Sequence, residues 1–308
     1  MSLPHTLSPA EAPAASPVAP KNILIATDFS ECSERALSYA TGAARRYGST
    51  LHLAHVVPIN TYYLAGPDAL GVALDQAQRE TAALVVRLQV EKQLAGVRHH
   101  SWVLRGYVSE VLGELIAREH VDLAVVGTHG RTGLSKLVLG SVAEEIFRKA
   151  PCPVLTVGPH VPLARPGSGL QALLFATDFS EDSARALPYA LSAAREFGSE
   201  LTLLHVLEPG EEMAGDPTRR DSLLHTRLQA MLGEDAGRVR VRTEIAGGDP
   251  AVCIVEAARQ RGAGVIILGL KAPQMFADRL PWLYAYRIVS QAPCPVLTVR
   301  GKVAEPAG

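Results

Sequence analysis

Gly127, Gly130 and Gly140, with Ser141 directly after the last, stand in the spacing Gly-x2-Gly-x9-Gly-Ser. Glycines so placed let backbone N–H groups approach a ligand closely and adopt positive φ. If a helix opens at Gly140-Ser141, its free N–H groups and its dipole favour an anion. The chemistry implied is polyphosphate binding. Arg131 and Lys136 lie within the run and can neutralise phosphate charge, or simply form a solvated loop face. Ser141 carries a second reading, because Ser141-Val142-Ala143-Glu144 is also a capping box, and capping competes with phosphate for one hydroxyl. No Gly-x4-Gly-Lys-Ser/Thr loop occurs in the chain, and Gly127, Gly130 and Gly133 do not fit Gly-x-Gly-x-x-Gly.

The elements around this run must hold it in place. Asp122 to Val126 reads as a buried strand leading in, and Val142 to Lys149 as an amphipathic helix leading out. Upstream, Asn22 to Thr27 reads as a strand buried on both faces. Ser30 caps a helix from Glu31 to Tyr47, which Gly48 stops. Leu51–Val57 follows as a strand, then a loop 58–67 containing Tyr62 and Tyr63, and a long helix Asp68–Leu94. Val97–Leu104 is a third strand. A helix marked by Val111, Leu112, Leu115 and Ile116 ends near His120, and Val154–Val157 is a fifth strand. This alternation predicts a parallel sheet with helices on both faces and right-handed crossovers. In such sheets ligands sit at the carboxyl ends of strands, where strand order reverses. The first and fourth strands would flank that point, bringing Asp28 beside Gly127.

The same unit then returns. Ala26-Thr27-Asp28-Phe29-Ser30-Glu31 recurs as Ala176-Thr177-Asp178-Phe179-Ser180-Glu181, His55-Val56 as His205-Val206, and Ala150–Val157 letter for letter as Ala292–Val299. The copies are offset by 150 residues early and 142 late, so the second is shorter in its middle. Its strands are expected at Gln171–Ala176, Leu201–Leu207, Val239–Ile245, Val265–Gly269 and Val296–Val299. Its helices are expected at Glu181–Phe197, Thr218–Leu232, Pro250–Gln260 and Tyr284–Gln291. Copy two keeps Gly269 but has Ala272 in place of Gly130, and Trp282 and Leu283 in place of Gly140 and Ser141. Pro273 and Pro281 stiffen its loop. This half is not expected to bind polyphosphate in the manner of the first. Met275, Phe276, Leu280, Trp282 and Leu283 would cover the altered site or form an interface.

The glycine spacing and the repeat together resemble the ATP-binding branch of the universal stress protein family, over nearly the whole chain. The resemblance implies an α/β fold of two tandem doubly wound five-stranded parallel-sheet domains, Rossmann-like and adenine nucleotide alpha hydrolase-like, with strand order 3-2-1-4-5. It implies a tail at 1–20, a first domain at 21–158 with an intact loop, a linker at 159–169, a second domain at 170–301 with a degenerate loop, and a tail at 302–308. It carries nucleotide contacts onto Ala26, Thr27, Asp28, Val56, Gly127, Thr128, His129, Gly130, Arg131, Gly140, Ser141 and Val142. Asp28 would face adenine and ribose, accepting from an amine or a hydroxyl; its recurrence as Asp178 equally suits a turn-capping role. Val56 would line the adenine pocket, or be an ordinary core valine. ATP with Mg2+ is the expected ligand, the magnesium riding on the phosphates near Asp28 or Ser141. Family members dimerise through the edge strand, so Val154–Val157 and Val296–Val299 are expected to pair the two copies within one chain, with a homodimer of whole chains left open.

Composition narrows the classes. The chain has 308 residues, 47% hydrophobic and 20% charged, with net charge −1, which argues against a dedicated nucleic-acid surface. No apolar run reaches the roughly 18 residues of a membrane span. The Pro-, Ala- and Ser-rich first twenty residues lack a signal-peptide core. Cys152 and Cys294 occupy one position of the repeat and read as small buried apolar residues. His55 and His205 recur together and read as structural, and no histidine spacing suits zinc. These features point to the cytoplasm. Three functions stay open: a nucleotide-dependent regulatory or stress-response protein, a slow ATP hydrolase with His129 as the candidate base, and an interaction scaffold independent of nucleotide.

Overall fold

The computed structural model describes residues 19–59, 67–128, 141–164, 170–207, 216–270 and 279–300. Copy one runs β1 (Asn22–Ala26), α1 (Glu31–Tyr47), β2 (Thr50–Pro58), α2 (Pro67–Val90), β3 (Arg98–Gly106), α3 (Val108–Arg118), β4 (Leu123–Gly127), α4 (Ser141–Lys149) and β5 (Val154–Val157). Copy two runs β6 (Ala172–Ala176), α5 (Glu181–Phe197), β7 (Glu200–Leu207), α6 (Pro217–Ala230), β8 (Arg240–Gly247), α7 (Pro250–Arg261), β9 (Val265–Leu270), α8 (Arg279–Gln291) and β10 (Val296–Arg300). Local chemistry sets α1 and α5 alike. Ser30 and Ser180 accept the N–H groups of Ser33 and Ser183, and Gly48 and Gly198 close the helices at φ 67 and 63°.

The strands form one ten-stranded sheet in the order β3-β2-β1-β4-β5-β10-β9-β6-β7-β8. Each half has the order 3-2-1-4-5, with parallel neighbours. The halves meet through the antiparallel pair β5–β10, centred on Leu155 opposite Leu297. Those leucines are the same position of the repeat, so a pseudo-twofold axis passes between them. The two expected sheets are therefore continuous, joined where 154–157 meets 296–299.

Alternation along the strands divides the core. Leu24 and Ala26 face a core shared by both copies, in which Ile146 and Phe147 of α4 lie in one cluster with Ile288 and Val289 of α8. Ile23 and Ile25 face the other side, under α1 and α2. Copy two has its own counterpart there, built on Leu173, Phe175 and Ala186. One face of the sheet is thus a common interior and the opposite face is two separate ones.

The carboxyl ends of α1 and α5 also touch. Arg46 Nε lies 2.8 Å from Glu196 Oε1, Tyr47 donates its hydroxyl to Glu196 Oε2 at 2.9 Å, and the Arg46 guanidinium sits 4.2 Å above the Phe197 ring. Arg46 and Glu196 are equivalent positions, so two identical copies would place like charges there. Exchanging the charges as Arg46→Glu/Glu196→Arg is expected to recover most of the stability that either single reversal loses. The coupling should be about 0.5–1 kcal/mol for so exposed a pair. Urea unfolding of the four proteins measures it, and additive single effects would show that the contact carries no pairing energy.

Several boundaries differ from the sequence reading. The helix expected to run to Leu94 ends at Val90, because Lys92 takes a left-handed φ of 58° and the N–H groups of Gln93 and Leu94 fold back to the Leu88 carbonyl at 2.8 and 3.3 Å. Leu94 remains buried, which is why the apolar pattern outlasts the helix. The helix α3 begins at Val108, ahead of the apolar cluster at Val111. The helix α8 begins at Arg279 rather than Tyr284; Pro281 falls in its first turn, where the missing N–H has no partner to lose. Finally, the start of the expected linker packs on copy one: Val161 is buried, the Pro162 carbonyl accepts from Tyr39 at 3.1 Å, and Ala164 N–H donates to Ser38 Oγ at 3.0 Å. At the other end, Pro20 of the expected tail is buried and its carbonyl accepts from Ser49 at 2.5 Å. Residues 1–18 and 302–308 of the expected tails, and the loop tyrosines Tyr62 and Tyr63, lie outside the described residues. Among the described residues no helix is long and apolar enough to cross a membrane.

Candidate functional site

In copy one, β1 lies between β2 and β4, with Ala26 opposite Ala54 on one side and Val126 on the other. The chain leaves β1 toward β2 and returns on the far side as β4, so the order reverses at the carboxyl end of β1. Ala26, Thr27, Asp28, Val56, Gly127 and Thr128 converge at that end, as expected from sequence. His129, Gly130, Arg131 and Gly140 lie outside the described residues. Ser141 and Val142 open α4, of which the backbone is described there.

Most of the Thr-Asp-Phe-Ser segment is committed to bracing itself. Thr27 is buried; its hydroxyl donates to Ser33 Oγ at 3.1 Å and accepts from Phe29 N–H at 3.0 Å. Phe29 is held at φ 62°, a left-handed conformation unfavourable for an aromatic residue. Its ring stacks on His55 with centroids 4.5 Å apart, and His55 Nδ1 lies 2.8 Å from the Thr27 carbonyl, which makes that nitrogen the donor. Asp28 Oδ1 accepts from Ser30 N–H at 3.1 Å. Copy two repeats every part: Phe179 at φ 61°, its ring 4.4 Å from His205, and Asp178 accepting from Ser180 at 2.9 Å. The two histidines therefore have a bracing role, and each aspartate closes a turn. The repeat shows Phe29 recurring as Phe179 but gives it no role, and Ser33, which recurs as Ser183, is a bracing residue that the sequence reading does not single out.

Gly127 has a geometric reason of its own. A Cβ there would stand 2.7 Å from the carbonyl carbon and oxygen of Cys32 and 2.9 Å from Ser33 N. The first turn of α1 thus rests directly on the end of β4. A Cβ on Gly269 would overlap the Asp182 carbonyl and Ser183 in the same way. Retention of this glycine in both copies is explained by helix–strand contact, without any ligand. Thr128 follows, buried, with its N–H donating to the Val157 carbonyl at 3.1 Å.

Beside the Asp28 turn lies a half-buried apolar shelf. Val56 is opposite Leu104 in the β2–β3 register, and both pack with Val108 against the shared core. Ser109, at the start of α3, donates its N–H to Glu145 of α4 at 2.8 Å. Glu144, the acidic residue of the sequence capping box, is exposed and lies 3.4 Å from Arg148. In copy two, 271–278, including Lys271, Ala272, Pro273, Met275 and Phe276, lies outside the described residues. Leu283 there is 51% exposed. Cys152 and Cys294 are buried, and burial pushes their thiols up to about 11 and about 12, which keeps them protonated and unreactive. Among the described residues no group of three or more His, Cys, Asp or Glu is placed to hold a metal ion.

A doubly wound half with this reversal point, repeated in tandem, defines the class of protein. The profile of the universal stress protein family matches residues 20–158 and 169–300. The chain belongs to that family. A universal stress protein of Mycolicibacterium smegmatis is 28% identical over 292 residues, covering 90% of this chain and 96% of that one. Universal stress protein MJ0531 of Methanocaldococcus jannaschii is 30% identical over 138 residues, covering 44% of this chain and 81% of its own length. The crystal structure of a universal stress protein from Archaeoglobus fulgidus aligns over 91% of this chain and 98% of its own, with a TM-score of 0.70 at 21% identity. That likeness extends the shared fold over both copies.

Proposed function

We propose that copy one binds an adenine nucleotide, ATP with Mg2+, and that the chain acts in the cytoplasm as a nucleotide-dependent regulatory protein of the stress response. What supports this reading is the strand-order reversal at the carboxyl end of β1, with the Asp28 turn and the Val56–Leu104–Val108 shelf at the ends of the strands beside it and α4 as the helix that follows β4. The fit is chemical as well as spatial. A planar base suits a half-buried apolar shelf beside a carboxylate. The helix start at Ser141, reached through glycines, suits phosphate. Arg131 and Lys136 add cationic charge along the glycine segment, and Mg2+ would ride on the phosphates. Copy two keeps the brace and Gly269 but not the later glycines, so it serves as the structural partner across β5–β10. Nucleotide bound to the native shape stabilises it by RT ln(1 + [L]/Kd), which makes occupancy a means of regulating contacts with a partner.

Calorimetric titration of the full chain with ATP–Mg2+ tests the reading. The variant Gly140→Trp/Ser141→Leu, which carries the copy-two residues into copy one, is the control. One site per chain, lost in the variant, is the expected result. No binding to nucleotide-free wild type would overturn it and leave the scaffold reading. Two sites per chain would show that the second loop is competent.

A further inference from the structure

The two copies solve one structural problem with a carboxylate placed on opposite partners. The helix that follows the third strand starts at α3 in copy one and at α7 in copy two. In copy two, Asp249 caps α7 itself, accepting from Val252 N–H at 3.0 Å, and Arg287 of α8 holds that carboxylate at 2.7 Å. In copy one the equivalent of Asp249 is Tyr107, which gives α3 no side-chain cap. The equivalent of Arg287 is Glu145, and its carboxylate accepts the orphaned Ser109 N–H at 2.8 Å. Lys149, one turn further along α4, completes the clasp, 3.4 Å from Ser109 Oγ and 3.9 Å from Glu145. In each copy one carboxylate joins the start of the third helix to the helix after the loop. It has moved from the capped helix to its neighbour.

We infer that Glu145 is a positioning residue for the nucleotide site of copy one, an inference that rests on the reading of that site given above. Ala143, Ile146 and Phe147 bury one face of α4. Apolar contact of that kind selects the buried face but is non-directional, so it fixes the helix's fine orientation less sharply than a hydrogen bond does. The hydrogen bond to Ser109 supplies the directional constraint on the flank of α4. It thereby sets where the N–H groups of the first turn, at Ser141 and Val142, are aimed. It also holds a negative charge against the amino end of α3. Released, that carboxylate would lie one turn from where phosphate would bind and would repel it.

The test uses the full chain and four variants: Glu145→Ala, Glu145→Gln, Glu145→Arg and Tyr107→Asp/Glu145→Arg. ATP–Mg2+ affinity is read by calorimetry, and exchange of the Ser109 amide by hydrogen–deuterium exchange. Glu145→Ala and Glu145→Arg are expected to weaken binding about tenfold and to speed exchange at Ser109, as loss of a charge-assisted hydrogen bond would. Glu145→Gln keeps an acceptor for Ser109 and should stay within about threefold of wild type. Tyr107→Asp/Glu145→Arg rebuilds the copy-two pair and should restore both affinity and protection. Faster exchange at Ser109 with unchanged affinity in Glu145→Ala would overturn the inference alone and leave the site reading intact. So would restored protection without restored affinity in the exchanged pair. A wild type that binds no nucleotide would sink both.

Discussion

Alanine at Gly127 is expected to destabilise the chain by about 3 kcal/mol or more, lowering its thermal midpoint by roughly 10 °C, and alanine at Gly269 to do the same. The cost arises because the atoms in the way are backbone. A Cβ on Gly127 meets the Cys32 carbonyl at 2.7 Å, and one on Gly269 meets the Asp182 carbonyl. Neither can rotate aside as a flexible side chain would. Relief requires the first turn of α1 or α5 to lift from the sheet. That shift would disturb the Ser30 or Ser180 cap and the Thr27–Ser33 or Thr177–Ser183 contact beneath it.

The comparison between the copies decides what this glycine is for. If Gly127 served only to admit phosphate, Gly269 would be free to vary, since the loop after it has lost the other glycines. The packing account requires both alanine variants to be destabilised without any nucleotide present. Scanning calorimetry of the nucleotide-free chain is the measurement, and a silent Gly269→Ala would refute the packing account.

Much of the fold could be read from the sequence, because its signals are local or repeated. The limits of α1 and α5 followed from Ser30, Gly48 and the duplicated motif, and the closeness of Asp28 to Gly127 followed from the expected strand order. What stayed hidden depends on contacts made across the fold. The start of α3 could not be seen because its partner, Glu145, comes from 36 residues further along the chain. The constraint on Gly127 is set by where α1 lies, and no local pattern encodes that. The left-handed turn at Phe29 is stabilised by His55 from the neighbouring strand, so the aromatic residue gives no sign of it in isolation. The shift of the carboxylate from Asp249 on the capped helix to Glu145 on the neighbouring one becomes meaningful once the helices are seen to touch.

Acid is expected to weaken the outer strands of copy one through His52. This residue is 2% exposed on β2, its ring 5.6 Å from His100 and 6.4 Å from Trp102 on β3. Trp102 Nε1 donates to His52 Nδ1 at 3.4 Å, so the neutral ring carries its proton on Nε2, which has no partner among the described residues. Protonating the ring would break the Trp102 contact and bury a charge. Burial is the main cause that holds the His52 pKa below its ordinary value; His100 and Arg118 act in the same direction, and Glu119 opposes them. The sign follows from linkage. As pH falls through about 6.5, His52 takes up a proton in the unfolded chain before it does so in the folded one. Its contribution to stability is full above that pH and is lost progressively below it. Urea midpoints at about pH 7.5 and about pH 5 should therefore separate in the wild type. The pair His52→Leu/Trp102→Phe removes donor and acceptor together, so it should cost little at neutral pH and narrow that separation. Trp102→Phe alone leaves His52 buried with both nitrogens unpaired and should be the less stable variant at neutral pH. An acid shift of equal size in wild type and in the double variant would place the sensitivity elsewhere, because a residue that no longer titrates cannot carry it.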